Sequence, residues 1–113
     1  MKYSRDEFER LAVEHTVALA KGMVYKKTNA IHGKLMKMIS SLKQGGKLTE
    51  LTELLANEET GVRLWAASGL LGSKDELAIP VLELISNDKT SPHRLTAFGL
   101  IDLWKSGHFD NNT

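Results

Sequence analysis

The 113-residue chain has no cysteine, and this absence excludes several kinds of site. Without thiols the protein has no disulfide framework, no thiolate zinc site and no cysteine nucleophile. The chain also lacks an apolar run of about 20 residues, the length that a helix needs to cross a bilayer. Its polar first residues contain no apolar core of a signal peptide. We therefore expect a cytosolic protein that does not associate with a membrane.

Proline is also scarce, with only Pro80 and Pro92 in the chain, and runs of β-branched residues are few. Apolar residues recur instead at helical spacing, which predicts an all-α protein. They make up 42% of the residues, against 26% that are charged, a balance typical of a folded globular protein rather than a disordered one. A chain of this length is expected to form one domain, residues 1–113.

Residues 1–46 predict an N-terminal hairpin of two helices. Ser4 and Glu7 have the spacing of a capping box, so the first helix should begin at Ser4 and end near Gly22. The second helix should cover about residues 24–44, because a pair of glycines follows it and glycine commonly ends a helix.

Residues 47–113 contain an internal repeat. Residues 51–60 align with residues 81–90 at an offset of 30, and after one inserted residue Arg63 falls on Arg94. Each unit has the pattern of a helix, a polar turn and a second helix, so the repeat predicts two further hairpins. The second helix of the first unit is apolar all round, which predicts that it is buried. In total we expect about six helices, stacked as three antiparallel hairpins in a bundle of the α-solenoid type.

Three stretches of the sequence resemble one known family. They are TGVRLWAASGLL at residues 60–71, AIPVLELISND at residues 78–88 and VYKKTNAIHGKLMKMI at residues 24–39. These stretches are similar to a family of small bacterial proteins with HEAT-like helical repeats, which combine a basic helix with a later Val-Arg-Leu-Trp-Ala-Ala helix. The resemblance implies a right-handed bundle of HEAT-like hairpins and a bacterial source. The family brings no established activity, so the resemblance implies a fold and not a reaction.

Negative charge is missing from a long stretch of the first half. Residues 15–49 contain no Asp or Glu, but they contain seven lysines. At about 100° per residue, four of these lysines fall on one stripe of the second helix, and one aromatic residue is close to them in the sequence. The five residues are Tyr25, Lys26, Lys27, Lys34 and Lys37. We expect them to contact a protein partner with an acidic surface.

Two alternatives stay open for this lysine stripe. It could be a solvated face balanced by the acidic second half, because residues 1–47 carry a net charge of +6 and residues 48–113 one of −5. It could also bind nucleic acid or another polyanion through phosphate contacts. The stripe offers no arginine to read base edges and a single aromatic side chain for stacking, so nucleic acid is the weaker candidate.

A mixed stripe follows the opposite flank of the second helix. Four residues belong to it at spacings of four, three and four, namely Tyr25, Asn29, His32 and Met36. The favoured interpretation is packing against the fourth helix, with Asn29 hydrogen-bonded between the two helices. The alternative is that the stripe lines a groove.

Arg63 and Trp65 lie in the apolar helix of the first repeat unit. Because Arg63 recurs as Arg94 whereas the tryptophan does not recur, we interpret Arg63 as a structural residue and Trp65 as a ring that fills a gap between layers. A buried arginine requires a partner, and acids on neighbouring helices could supply one. The candidates are Glu50, Glu53 and Glu83. The alternative is a ligand site formed by the arginine and the tryptophan.

The sequence contains no pattern of a catalytic or metal-binding site. The four histidines form no pair at i,i+3 or i,i+4, and His15 is expected to be a hydrogen-bonded core residue. No phosphate-binding glycine loop and no activated serine can be identified. We therefore expect no enzymatic activity, no metal and no cofactor. The expected function is recognition of a protein partner, for example by an immunity-type protein that blocks a toxin, with binding of a polyanion as the alternative.

Overall fold

The computed structural model describes residues 2–22 and 25–109, with side chains from residue 28 onward in the second segment. The described residues form helices and turns without a strand, which confirms the prediction of an all-α protein. None of the helices within residues 2–22 and 25–109 is both long enough and apolar enough to span a lipid bilayer. The helices are α1 (Arg5–Ala20), α2 (Tyr25–Gln44), α3 (Thr49–Leu54), α4 (Thr60–Leu70), α5 (Asp75–Ser86) and α6 (Arg94–Lys105).

Helix α1 begins where the capping box predicts. Ser4 is the N-cap residue, and its Oγ accepts a hydrogen bond from the backbone N–H of Glu7 at 3.4 Å. The backbone carbonyl of Ser4 accepts from the N–H of Phe8 at 2.8 Å, which closes the first turn. Phe8 itself is fully buried, so the cap places the first core residue of the chain.

Helix α2 ends at the predicted glycine pair, in a Schellman motif. The N–H of Lys47 donates to the carbonyl of Leu42 at 2.8 Å, and the N–H of Gly46 donates to the carbonyl of Lys43 at 3.2 Å. Gly46 has a φ of +67°, a left-handed conformation that a side chain disfavours. The motif stops the helix and turns the chain toward α3.

Helix α4 lies at the centre of the bundle. It packs against α1, α3 and α5, whereas α6 packs chiefly against α5, and α1 also packs against α2. The predicted burial of this apolar helix is confirmed, because eight of its eleven residues are buried. They are Gly61, Val62, Leu64, Trp65, Ala66, Ala67, Gly69 and Leu70.

Two glycines allow the other helices to approach α4 closely. A Cβ atom at Gly61 would overlap the hydroxyl of Thr16 on α1. A Cβ atom at Gly69 would lie 2.7 Å from a methyl group of Leu51 on α3, closer than carbon atoms pack. Both positions therefore favour glycine because of the space available rather than because of backbone conformation.

Candidate functional site

The described part of the lysine stripe is exposed. Lys34 and Lys37 lie on the outer side of α2. Neither of them forms an ion pair with any other residue that the structure describes. The side chains of Tyr25, Lys26 and Lys27 lie outside the described part of the molecule, although their backbone belongs to α2. Lys34 and Lys37 are therefore the members of the stripe whose side chains the structure describes.

The arginines of α1 differ from these lysines because each of them is paired. Arg5 Nε lies 3.7 Å from Glu9 Oε1, and Arg5 Nη1 lies 3.5 Å from Glu53 Oε2. Arg10 binds carboxylates three residues before and four residues after it on the same helix. The hydrogen bond to Glu7 raises the pKa of Arg10. The positive charge of α1 is thus matched by nearby acids, whereas that of Lys34 and Lys37 is not.

A groove of about 630 Å³ lies beside the other flank of α2 and is bordered by α1, α4 and α6 as well. Trp65 of α4 lines it and is only 6% exposed. The His15 ring meets the indole edge-on, with ring centroids 5.3 Å apart, and the His32 ring does so at 5.1 Å. One indole and two imidazoles therefore form a continuous aromatic surface in the groove.

The mixed stripe of α2 does not pack as the favoured interpretation predicted. Asn29 is exposed rather than buried between helices, and Met36 is 47% exposed and lines the groove. The interpretation as a groove wall describes this flank better. The physical reason is that the facing residues at this level are small, namely Ser68, Gly69 and Thr96, and they leave space in front of α2.

Arg63 does not bind an acid, so its predicted ion pair with Glu50, Glu53 or Glu83 is wrong within the described residues. Its Nη1 donates to the carbonyl of Asn57 at 2.6 Å and to that of Glu58 at 3.1 Å. Its Nη2 donates to Thr60 Oγ1 at 3.0 Å. The turn between α3 and α4 presents these carbonyls within reach of the guanidinium, and they take the place of a carboxylate. Arg63 thus stabilises a turn and lies away from the groove.

A buried histidine that the sequence pattern did not indicate lies at the N-terminus of α6, against Thr16 of α1. His93 is fully buried, and its Nε2 lies 2.7 Å from Thr16 Oγ1. The Thr16 hydroxyl donates a hydrogen bond to the carbonyl of Ala12 at 3.1 Å, so it accepts a hydrogen bond from the N–H at His93 Nε2. One signal could have indicated this position: with the 31-residue offset of Arg63 and Arg94, His93 aligns with the core residue Val62.

The imidazoles of His15 and His93 form a stacked pair. Their ring centroids are 6.1 Å apart and their planes are inclined by 11°. Burial lowers the pKa of His93 from its ordinary 6.5 to about 4, with a smaller contribution from His15. Burial also lowers the pKa of His15, with a smaller contribution from His32. Both rings are therefore neutral at physiological pH.

His15 differs from the prediction of a hydrogen-bonded core histidine. It is half-buried, and its Nδ1 is inaccessible to solvent without a hydrogen-bond partner in the described structure. Trp65 Nε1 is likewise inaccessible to solvent and has no hydrogen-bond partner in the described structure. Two residues that line the groove thus carry buried nitrogen atoms whose hydrogen-bonding capacity is unused.

Within residues 2–22 and 25–109, no three His, Asp or Glu side chains come close enough together to hold a metal ion. The comparisons with known proteins found no match among protein-family models, curated proteins or solved structures. The HEAT-like resemblance therefore stays a prediction from the sequence motifs. Two surfaces beside α2, the lysine stripe and the groove, are the candidate binding sites of the molecule.

Proposed function

We propose that this chain is a non-enzymatic recognition module that binds an acidic protein partner through the lysine stripe of α2. The observation that carries the proposal is that Lys34 and Lys37 are exposed without an ion pair among the described residues. In the same molecule Arg5 and Arg10 are both paired. Unmatched positive charge on a helix attracts an acidic surface and accelerates the encounter with it.

The length of α2 and its anchoring in the core support partner binding on its outer side. A helix of 20 residues is about 30 Å long, enough to span a contact with a folded protein. Its inner side is anchored in the core by five buried side chains, so its backbone is ordered before the partner arrives and the entropy lost on binding is small. These side chains are Ile31, Leu35, Met38, Ile39 and Leu42.

The chemistry of the stripe favours a protein over nucleic acid. All the cationic residues of α2 are lysines, which act as point charges. Bidentate contacts to guanine would need arginine, and stacking on bases would need more than the one aromatic residue of this helix. A carboxylate-rich protein surface requires neither of these features.

We place α3–α4 and α5–α6 as two HEAT-like repeat units in a right-handed solenoid, supported by their 30-residue offset and by the packing of α4 on α5. Such a scaffold in the cytosol of a bacterium would suit an immunity-type protein that blocks a toxin. A toxin gene adjacent to the gene for this chain would support that version.

Charge reversal on the stripe tests the proposal. The variant carries Lys34→Glu and Lys37→Glu, and its control carries Lys89→Glu and Lys105→Glu, which make the same charge change at exposed positions outside α2. We expect the wild type and the control to capture the same acidic protein, identified by mass spectrometry, and the α2 variant to lose it. The purified complex should weaken as salt is raised.

Two results would contradict the proposal. One is an acidic partner that the α2 variant still retains. The other is a complex with DNA or RNA in a low-salt gel shift, lost by the α2 variant and kept by the control, because that result favours the polyanion alternative. Circular dichroism of each variant establishes that it is folded before binding is compared.

A further inference from the structure

The groove between α2 and α6 is a second surface, distinct from the lysine stripe. His32 and Met36 border it, and at about 100° per residue their flank of α2 is opposite the flank of Lys34 and Lys37. Its volume of about 630 Å³ lies within the range of roughly 300–1,000 Å³ that small-molecule sites occupy. The groove is therefore large enough for a small organic ligand, independently of any partner on the stripe.

The walls of the groove are mainly apolar and partly aromatic. Ile39, Leu64 and Leu100 contribute side chains from three different helices. Trp65 adds its indole, with the imidazoles of His15 and His32 against it. Aromatic ligands pack well on such a surface, since offset and edge-to-face contacts between rings add to the burial of apolar area.

The polar side chains of the groove share one electrostatic property. None of the described lining residues is an Asp or a Glu, so no fixed negative charge opposes an anion there. Lys43 is the one lysine or arginine among them. The remaining polar lining residues are histidines, a serine and a threonine, and Ser68 already donates its hydroxyl proton to the carbonyl of Trp65. A single fixed cation on a mostly apolar wall matches a ligand with one negative charge.

We infer that this groove is a binding site for a small aromatic carboxylic acid, with its ring against Trp65 and its carboxylate toward Lys43. The apolar and aromatic walls select the ring, and the charge of the lining residues selects the acid. The site binds its ligand and catalyses no reaction on it. It lies on the flank of α2 opposite the lysine stripe, which the acidic partner would contact.

Naphthoate is a suitable probe because it combines a fused aromatic ring with one carboxylate. Isothermal titration calorimetry should give saturable binding at one site per chain. Naphthylmethylamine, with a similar ring and the opposite charge, should bind at least about tenfold more weakly. Lys43→Gln should weaken naphthoate binding about fivefold, the size expected for one exposed ion pair. Lys89→Gln removes an exposed lysine outside both the groove and the lysine stripe and should leave the affinity unchanged.

The two tryptophans locate the probe within the molecule. Trp65 lines the groove and Trp104 does not, so the indole N–H resonance of Trp65 should shift with naphthoate in an NMR titration while that of Trp104 stays. Trp104→Phe assigns the two signals. Thr96→Trp fills the groove from an exposed position and should abolish binding in a folded protein.

Three results would overturn the inference. They are the absence of saturable naphthoate binding up to its solubility limit, equal affinities for naphthoate and naphthylmethylamine, and unchanged binding in a folded Thr96→Trp variant. A shift of the Trp104 resonance with no change at Trp65 would place the probe elsewhere and would also contradict it.

Discussion

Helices α4 and α6 have matching sequence positions but very different surroundings. Leu64 in α4 aligns with Leu95 in α6, and the two leucines are 2% and 75% exposed. Eight residues of α4 are buried, whereas Ala97 is the one buried residue of α6. The difference arises because α4 packs against α1, α3 and α5, while α6 packs chiefly against α5. Burial in this molecule is therefore set by the place of a helix in the bundle and not by the repeated motif.

The two unusual residues of the central motif have different places in the fold. Arg63 stabilises the turn before α4 and lies away from the groove, whereas Trp65 is buried and also lines the groove. Thr96, which aligns with Trp65, is exposed and lines the groove from the opposite side. The two repeat units thus supply different parts of one groove, with a buried ring from the first unit and an open wall from the second.

The pair Leu64 and Leu95 offers the largest contrast. Leu64→Ala should lower the free energy of unfolding by about 2–5 kcal/mol, because it removes buried methyl groups and leaves a cavity. Leu95→Ala makes the same chemical change at an exposed position and should stay within about 0.5 kcal/mol of the wild type. Urea denaturation followed by circular dichroism measures both values. Equal losses in the two variants would mean that α6 is as deeply packed as α4.

The buried imidazole of His93 should make stability depend on pH. Its pKa is lowered from 6.5 to about 4 in the folded state, so between these values the unfolded chain binds a proton that the native protein does not. Because of His93, the free energy of unfolding is therefore highest above pH 6.5 and decreases as the pH falls toward 4. His15, whose pKa is also lowered, acts in the same direction.

His93→Leu isolates this contribution from that of the carboxylates. Between about pH 7 and pH 4 the wild type should lose up to about 3 kcal/mol more of its free energy of unfolding than the variant does. Chemical denaturation at several pH values provides the comparison. Parallel pH profiles would show that the ring is protonated without cost in the native protein, which would contradict its burial against α1.

The smallest expected difference in stability is between alanine substitutions at two glycines, Gly61 in α4 and Gly99 in α6. Gly61→Ala should destabilise the protein by about 1–3 kcal/mol, because the new methyl group meets the Thr16 hydroxyl and the Ala12 carbonyl of α1. Gly99→Ala in α6 meets no atom within 4 Å and should stabilise the protein by about 0.5–1 kcal/mol through helix propensity. Thermal unfolding of both variants checks the signs. A stabilising Gly61→Ala would mean that α1 and α4 are further apart than described.

Features that depend on nearby residues could be predicted from the sequence. The cap at Ser4 and the end of α2 at Gly46 rest on hydrogen bonds within a few residues, and the burial of α4 rests on its apolar periodicity. Local chemistry decides these features, so a single sequence is sufficient for them.

The partners of the polar side chains could not be predicted in the same way. Arg63 has backbone carbonyls as acceptors, and a sequence pattern does not indicate which carbonyls a turn leaves free. The contact between His93 and Thr16 joins residues 77 positions apart. The groove depends on small residues of α4 and α6 that face α2 only after the bundle has assembled. Long-range packing decides these features, and it leaves little trace in local periodicity.

Native-state hydrogen exchange tests the contrast between the central and the outer helix most directly. The backbone amides of residues 64–70 in α4 should exchange only through global unfolding, with a free energy equal to that from denaturant. The amides of residues 98–104 in α6 should exchange through local opening at a clearly lower free energy, because few buried contacts hold that helix. Equal protection of α4 and α6 would contradict the conclusion that the repeated motif is buried at the centre of the bundle and open at its edge.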